Sequence, residues 1–188
     1  PYLGKFIPQL TEIFLRKYFK PGQTVLDPFC GSGTALVQAN ELGINSIGYD
    51  ISAFNVLLSR AKTQDYDIDK VTYEINDALT KFRKLTNQDS NNSQIPLWES
   101  EKIGKELSTD NEYLNNWFAP RSLFELLAYR KIIIENEYEY SDLLKIILSR
   151  SARSARLVKH YDLDFPKEPQ YGPYECYKHS KICTPVQE

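Results

Sequence analysis

"TVLDPFCGSGTALVQANELGINSIGYD" occupies residues 24–50. A short apolar strand ends on a carboxylate, Asp27, and is followed by Pro28, Phe29, Cys30 and glycines at 31 and 33. A helical run, "GTALVQANELG", comes next and stops at Gly43; a second apolar strand, "NSIGYD", ends on Asp50. The two glycines permit positive φ and clear side chains from a point where a ligand approaches the backbone. The helix start just beyond them presents unpaired N–H groups at the strand tip. Asp50 follows the first glycine by about 20 residues, the spacing that sets an acid on ribose hydroxyls in nucleotide-binding folds. These features predict an adenosine-bearing cofactor at the carboxyl ends of two parallel strands.

The residues also narrow the cofactor. No Gly-Lys-Ser/Thr closes the turn, so it is not a P-loop. Leu36 stands where a dinucleotide fingerprint has a third Gly or Ala. An acid before the turn, Asp27, suits a ligand with a cationic end better than a diphosphate. S-adenosylmethionine carries an ammonium, a sulfonium and an adenosine, and no phosphate. A generic tight turn followed by a chance acid would share the Gly-x-Gly but not the rest of this pattern.

Outward from this stretch, "KFIPQLTEIFLRKYF" has helical apolar spacing and ends at "KPG" (20–22). Ser52 can cap a third helix that runs to about Lys62. Strand, helix, strand, helix is the α/β pattern of parallel pairing. Ile68, Val71, Ile75, Leu79, Phe82 and Leu85 then repeat every three to four residues, which predicts a helix rather than a third strand. "TNQDSNNSQ" (86–94) reads as a loop. "WFAPRSLFELLAYRKIIIENE" and "YSDLLKIILSRSARSARLVK" read as two further helices, and the chain beyond about Tyr161 as irregular. The expected division is 1–66, a cofactor-binding βαβα portion, and 67–188, a helical segment.

"VLDPFCGSGT", with "GYDIS" downstream, resembles motif I and the following acidic strand end of the DNA amino-methyltransferases. The resemblance is strong over residues 1–63 and weaker through "NNWFAPRSLFELLAYRKII", "ILSRSARSAR" and "CYKHSKICTP". It implies a Rossmann-like fold dependent on S-adenosylmethionine. It also implies methyl transfer to the exocyclic nitrogen of adenine (N6) or cytosine (N4) in double-stranded DNA, as in restriction-modification. Under it, Asp27, Pro28, Phe29, Cys30, Gly31, Ser32, Gly33 and Thr34 wall the methionine end of the cofactor. Asp50 binds the ribose, Ile51 lies against the adenine, and Lys5, Phe6 and Ile7 help enclose the methionine.

The family's reaction also needs an Asp, Asn or Ser followed by two prolines and an aromatic residue, to hold the flipped base. These 188 residues contain none, and Gly172-Pro173-Tyr174, the nearest look-alike, reads as a turn. No catalytic residue is therefore assigned. With no methionine in the chain, the expectation is an amino-terminal cofactor-binding portion, inactive alone, completed by a missing C-terminal half or a second polypeptide. The competing readings are an RNA methyltransferase of the guanine-N2 type and a non-catalytic DNA-binding subunit.

A net charge of −2 gives no global basic field, so nucleic-acid contact has to come from local clustering. Arg150, Arg153, Arg156 and Lys159 crowd one predicted helix and its exit among small residues, as a phosphate-contacting stripe would. Cys176, His179 and Cys183 form a Cys-x₂-His-x₃-Cys cluster with His160 as a fourth candidate; lacking a second knuckle, it is assigned no metal. Three cysteines and the absence of any long apolar run predict a cytoplasmic protein rather than a disulfide framework or a membrane span.

Overall fold

The computed structural model of the chain describes residues 7–86, 107–162 and 166–186. Its contacts divide it into two units, with the boundary after Ile68.

In the first unit α1 (Pro8–Tyr18) leads to β1 (Thr24–Asp27), α2 (Thr34–Glu41), β2 (Asn45–Gly48) and α3 (Ala53–Thr63). The predicted "KPG" stop holds: Gly22 has φ 85° and donates its N–H to Gly43 O at 2.8 Å, tying the entry of β1 to the exit of α2. The strands pair in parallel from Thr24↔Asn45 to Asp27↔Gly48. The ladder runs on to the strand tips through Tyr49 N→Asp27 O and Cys30 N→Tyr49 O, both 2.9 Å. Period-two alternation sends Val25 to one face, where it packs with Phe19 and Leu42 on buried Leu15, Ala39 and Ile44. Leu26 and its register partner Ile47 take the opposite face and are exposed.

Helix α2 lies close on the sheet. A Cβ added at Gly48 would stand 2.6 Å from Leu36 Cδ1 and 3.1 Å from Cys30 Cβ. The large residue at the third fingerprint position is thus accommodated by a missing side chain on the strand beneath it.

The second unit opens with α4 (Ile68–Leu85) and continues through α5 (Glu112–Trp117), α6 (Pro120–Glu135) and α7 (Ser141–Ala155). Ala78, Ile132, Ile133 and Leu144 are its buried core, with Ile75, Phe82, Leu85, Tyr129, Tyr138 and Leu148 packed around them. Of the apolar repeat read from the sequence of α4, Ile75, Phe82 and Leu85 pack on this core, while Ile68 and Leu79 are exposed. Within it, buried Glu74 accepts N–H groups from Glu139 (2.9 Å) and Tyr140 (3.0 Å), at the start of α7. Tyr138 donates its hydroxyl to Asp77 at 2.6 Å, and Lys81 bonds the same carboxylate at 2.6 Å. Burial, helped by the Asp77 carboxylate, pushes the Tyr138 phenol up to about 12.

Three sequence expectations need correcting. The helix read from Trp117 begins only at Pro120, and Trp117 closes the separate α5. Pro120 disfavours helical geometry in the residue before it, and Phe118 and Ala119 are extended. The helix read to Lys159 ends at Ala155. There Arg156 pairs antiparallel with Phe118, Leu157 donates to Trp117 O at 2.8 Å, and Leu157 and Val158 turn inward to be buried. Burial of that apolar pair outweighs continuation of the helix. Finally, residues beyond Tyr161 are not wholly irregular: β3 (Tyr174–Cys176) and β4 (Lys181–Cys183) form an antiparallel hairpin. Tyr174 of the Gly-Pro-Tyr look-alike is the first residue of β3, and buried. Of the predicted 86–94 loop, only Thr86 lies within the described residues. Among the described residues no helix is long and apolar enough to cross a membrane.

Candidate functional site

The tips of β1 and β2 bring the sequence-selected residues together. Asp27 turns the chain by accepting Phe29 N–H on Oδ1 at 3.1 Å. Cys30 then enters the interior, Gly33 N donates to Cys30 O at 2.8 Å, and Gly33 serves as the N-cap of α2. Gly31 and Gly33 both have positive φ, 52° and 79°. At Gly33 a second constraint applies, since a Cβ there would lie 2.7 Å from Ser59 Oγ and 3.1 Å from the Ser59 backbone. Only glycine satisfies both the left-handed conformation and the approach of α3. Having no side chain, Gly33 also adds no acceptor for the first-turn N–H groups of α2.

Asp50 is the hub of this turn. Its Oδ2 accepts Gly31 N–H at 2.9 Å, and its Oδ1 accepts Ser52 N–H at 2.8 Å and Asn55 Nδ2 at 3.0 Å. The Ser52 amide, then the Asn55 side chain, and then the Gly31 amide hold the carboxyl below its ordinary 3.8, against an opposing push from burial. One carboxylate therefore staples the glycine turn of β1 to the exit of β2 and the start of α3. Three of its roughly four acceptor sites are filled, leaving capacity for about one more donor.

Beside Asp50 stand two apolar side chains with little cover: Phe29 is 87 % exposed and Ile51 fully so. Ile7, the N-cap of α1, is also exposed. Lys5 and Phe6 lie outside the described residues. Pro28, Ser32 and Thr34 fall within the same turn, Thr34 opening α2. The tip thus combines an ionised acceptor, an open glycine backbone and exposed apolar surface. That set suits a ligand with hydroxyl donors and a flat ring, while two carboxylates, Asp27 and Asp50, disfavour phosphate.

Sequence reading singled out Ser52 as the cap of α3, which it is, but not the other residues that hold this tip from behind. Ser52 caps α3 by accepting Asn55 N–H at 3.4 Å; Ser59 Oγ donates to Gly31 O at 3.1 Å, and Lys62 Nζ to Ser32 O at 2.6 Å. The signal was available: Ser52, Asn55, Ser59 and Lys62 recur at three- and four-residue intervals, a polar stripe on one face of a helix.

The basic stripe runs along α7 and its exit, with the helix ending earlier than its sequence suggests. Arg150 and Arg153 are on α7, Arg156 lies just past its end, and Lys159 is three residues further on. Arg150 is exposed, while Arg153, Arg156 and Lys159 are half-buried.

Comparison with known proteins follows the same geography. The DNA methylase family profile matches residues 5–60, the strand tips and their helices. The type II methyltransferase M.MjaII of Methanocaldococcus jannaschii is 38 % identical over an alignment of 238 residues that takes in 100 % of this chain and 45 % of the relative. The type II methyltransferase M.MvaI of Kocuria varians is 26 % identical over 162 residues, 85 % of this chain and 33 % of its own length. A tRNA (guanine(10)-N2)-dimethyltransferase of Methanothermobacter thermautotrophicus is 35 % identical over 68 residues, 36 % of this chain and 20 % of that protein. The chain thus spans less than half the length of these curated relatives. No solved structure matches it significantly.

Proposed function

We propose that this chain, a relative of the DNA amino-methyltransferases, holds S-adenosylmethionine for methyl transfer to an exocyclic amino nitrogen of adenine (N6) or cytosine (N4) in DNA. The observation that carries the reading is the Asp50 carboxylate at the strand tips, pinned by Gly31, Ser52 and Asn55. A carboxylate fixed in this way needs little reorganisation when it accepts a ribose hydroxyl. Ile51 offers its exposed side chain to the adenine, and the Gly31–Gly33 backbone faces the amino acid end. Asp27 favours the cationic groups there. The bound cofactor would supply an electrophilic methyl on its sulfonium; the residues of this chain bind and orient it. On this reading β1–α2–β2–α3 is the βαβα portion of a Rossmann-like methyltransferase domain. The exposed Leu26–Ile47 face is where further structure, from this protein or a second polypeptide, covers the sheet. A DNA-acting protein with three free thiols fits the cytoplasm.

DNA is favoured over RNA by how far each likeness extends. The tRNA enzyme matches 36 % of the chain and one type II methyltransferase, M.BsoBI, only 27 %, whereas M.MjaII and M.MvaI match 100 % and 85 % and so take in the helical second unit. The reading is tested by titrating the chain with S-adenosylhomocysteine, adenosine, ATP and NAD. S-adenosylhomocysteine should bind best, adenosine more weakly, and the two phosphate-bearing ligands weakest. ATP or NAD binding more tightly than S-adenosylhomocysteine would refute the assignment.

On the same reading Arg150, Arg153, Arg156 and Lys159 contact DNA phosphates, Arg150 from α7 and the others from its last turn and exit. Each neutralised phosphate steepens the dependence of log K on log salt by about 0.9, so replacing Arg150 and Lys159 by alanine should flatten that slope by about 1.8. Duplex affinity at several salt concentrations reads this out. An unchanged slope would remove these two residues from the interface.

A further inference from the structure

The second unit carries a cluster that the proposed methyl transfer does not use. His160, Cys176, His179 and Cys183 each offer a ligand atom, and these four atoms all lie within 4.8 Å of one another. Sequence brings three of them close, on the β3–β4 hairpin. The fourth arrives from the other side, on the segment that leaves α7 and buries Leu157 and Val158.

Two of the distances already have a metal's scale, and the rest lie within 4.8 Å, a short contraction from it. Zinc bonds of about 2.0–2.3 Å place the corners of a tetrahedron about 3.3–3.8 Å apart. Cys176 Sγ is 3.2 Å from His160 Nε2, and Cys183 Sγ is 3.5 Å from His179 Nδ1. The His160 and His179 rings stack at 4.5 Å with an interplanar angle of 9°. His179 N–H points at Cys176 Sγ, 3.3 Å away.

The surrounding groups are set for coordination. Tyr174 Oη lies 2.8 Å from His160 Nδ1 and accepts His160 N–H at 3.0 Å. With the Nδ1 proton donated to that hydroxyl, Nε2, the nitrogen nearer Cys176 Sγ, keeps its lone pair for a metal. Such an outer partner fixes both ring orientation and tautomer. Cys176 is 2 % exposed and Tyr174 is buried, while His179 and the Lys181 and Ile182 flank are open to solvent.

The hairpin is small, and beside the Tyr174 contacts with His160 it is held by the Tyr161 ring against Tyr174 and Tyr177. Its strands are three residues each, Tyr177 and Ile182 are exposed, and Ser180 sits at φ 50° in the connecting turn. Two-stranded hairpins of this size are marginal in water, and a coordinated ion contributes folding free energy directly.

We infer that His160, Cys176, His179 and Cys183 bind one Zn²⁺ in a closed, tetrahedral, structural site that fastens the β3–β4 hairpin to the segment following α7. Four protein ligands leave no open position for substrate, so the ion's role is to fix structure. Binding releases the thiol protons of Cys176 and Cys183 to solvent, with no change of oxidation state. The site is independent of the cofactor reading.

The test is the metal content of the whole purified chain, together with its Co²⁺ spectrum. The expected results are close to one zinc per chain and, on Co²⁺ substitution, thiolate charge-transfer bands with the strong d–d absorption of tetrahedral coordination. His160→Ala and Cys183→Ser should each weaken binding more than about tenfold, while Cys30→Ser keeps it. Because a ligand variant can also unfold the hairpin, thiol labelling of the unaltered chain gives a second reading. Chelation should expose Cys176 to the reagent, and re-added Zn²⁺ should protect it. A reduced chain that takes up no zinc or cobalt overturns the site. So do both ligand variants retaining full zinc, or equal Cys176 labelling with and without metal.

Discussion

Glu74→Ala is expected to destabilise the second unit by about 3 kcal/mol, with a clear fall in its urea midpoint. The side chain is buried in the middle of α4, and its two oxygens accept the N–H groups of Glu139 and Tyr140 where α7 begins. Charge-assisted hydrogen bonds contribute about 1.5–3 kcal/mol each, and a buried N–H left without an acceptor costs about 1–3 kcal/mol. Tyr140 is buried and has no water to turn to, whereas Glu139 is exposed and regains some hydration. A negative charge at a helix start adds a favourable interaction with the helix dipole. Lys70 also pairs with Glu139 on the surface, but an exposed pair is worth only about 0–1 kcal/mol and cannot replace the lost acceptor. Glu74→Gln retains one acceptor and should lose about half as much. A change within about 0.5 kcal/mol for Glu74→Ala would show that this carboxylate does not anchor α7.

What the sequence disclosed, and what it hid, follows from the range of the interactions involved. The parallel strands, the glycine turn and Asp50 were readable because local rules fix them: apolar runs bounded by turn residues, and an acid at a set distance. The helix α4 was readable from the helical period of its apolar repeat, of which Ile75, Phe82 and Leu85 pack on the core while Ile68 and Leu79 are exposed and the buried positions are Glu74 and Ala78. The end of α7 was not. Leu157 and Val158 continue a helical pattern in sequence, and only contact with residues 117–118 shows that burying them ends the helix. The hairpin was hidden for a similar reason. Its strands are too short for alternation to register, and it closes on His160, some fifteen residues upstream of β3. Asp50 is an intermediate case. Its position was evident, but its internal donors were not: two are backbone amides, of Gly31 and Ser52, and the third is the Asn55 side chain, on a face of α3 that reads, alone, as an ordinary solvated one.

Those internal bonds give Asp50 two duties, and both enter the second large effect expected. Asp50→Ala should weaken S-adenosylhomocysteine binding at least about tenfold, because it removes a charge-assisted bond to the ribose and frees the glycine turn that receives the rest of the ligand. The same carboxylate ties stability to pH. Its folded pKa lies below the ordinary 3.8, so its contribution is present above that value and is lost as pH falls through the lowered folded pKa. Asp77, lowered by the Lys81 ammonium and the Tyr138 hydroxyl, acts in the same direction in the second unit. Acid should therefore loosen both units, and Asp50→Ala should blunt the response of the first. The most direct measurement is the calorimetric affinity of S-adenosylhomocysteine for the unaltered chain and for Asp50→Ala, with melting curves showing both folded. The account predicts one saturable site in the unaltered chain and at least about tenfold weaker binding in the variant. Equal affinities, or a folded unaltered chain that binds no S-adenosylhomocysteine, would contradict it.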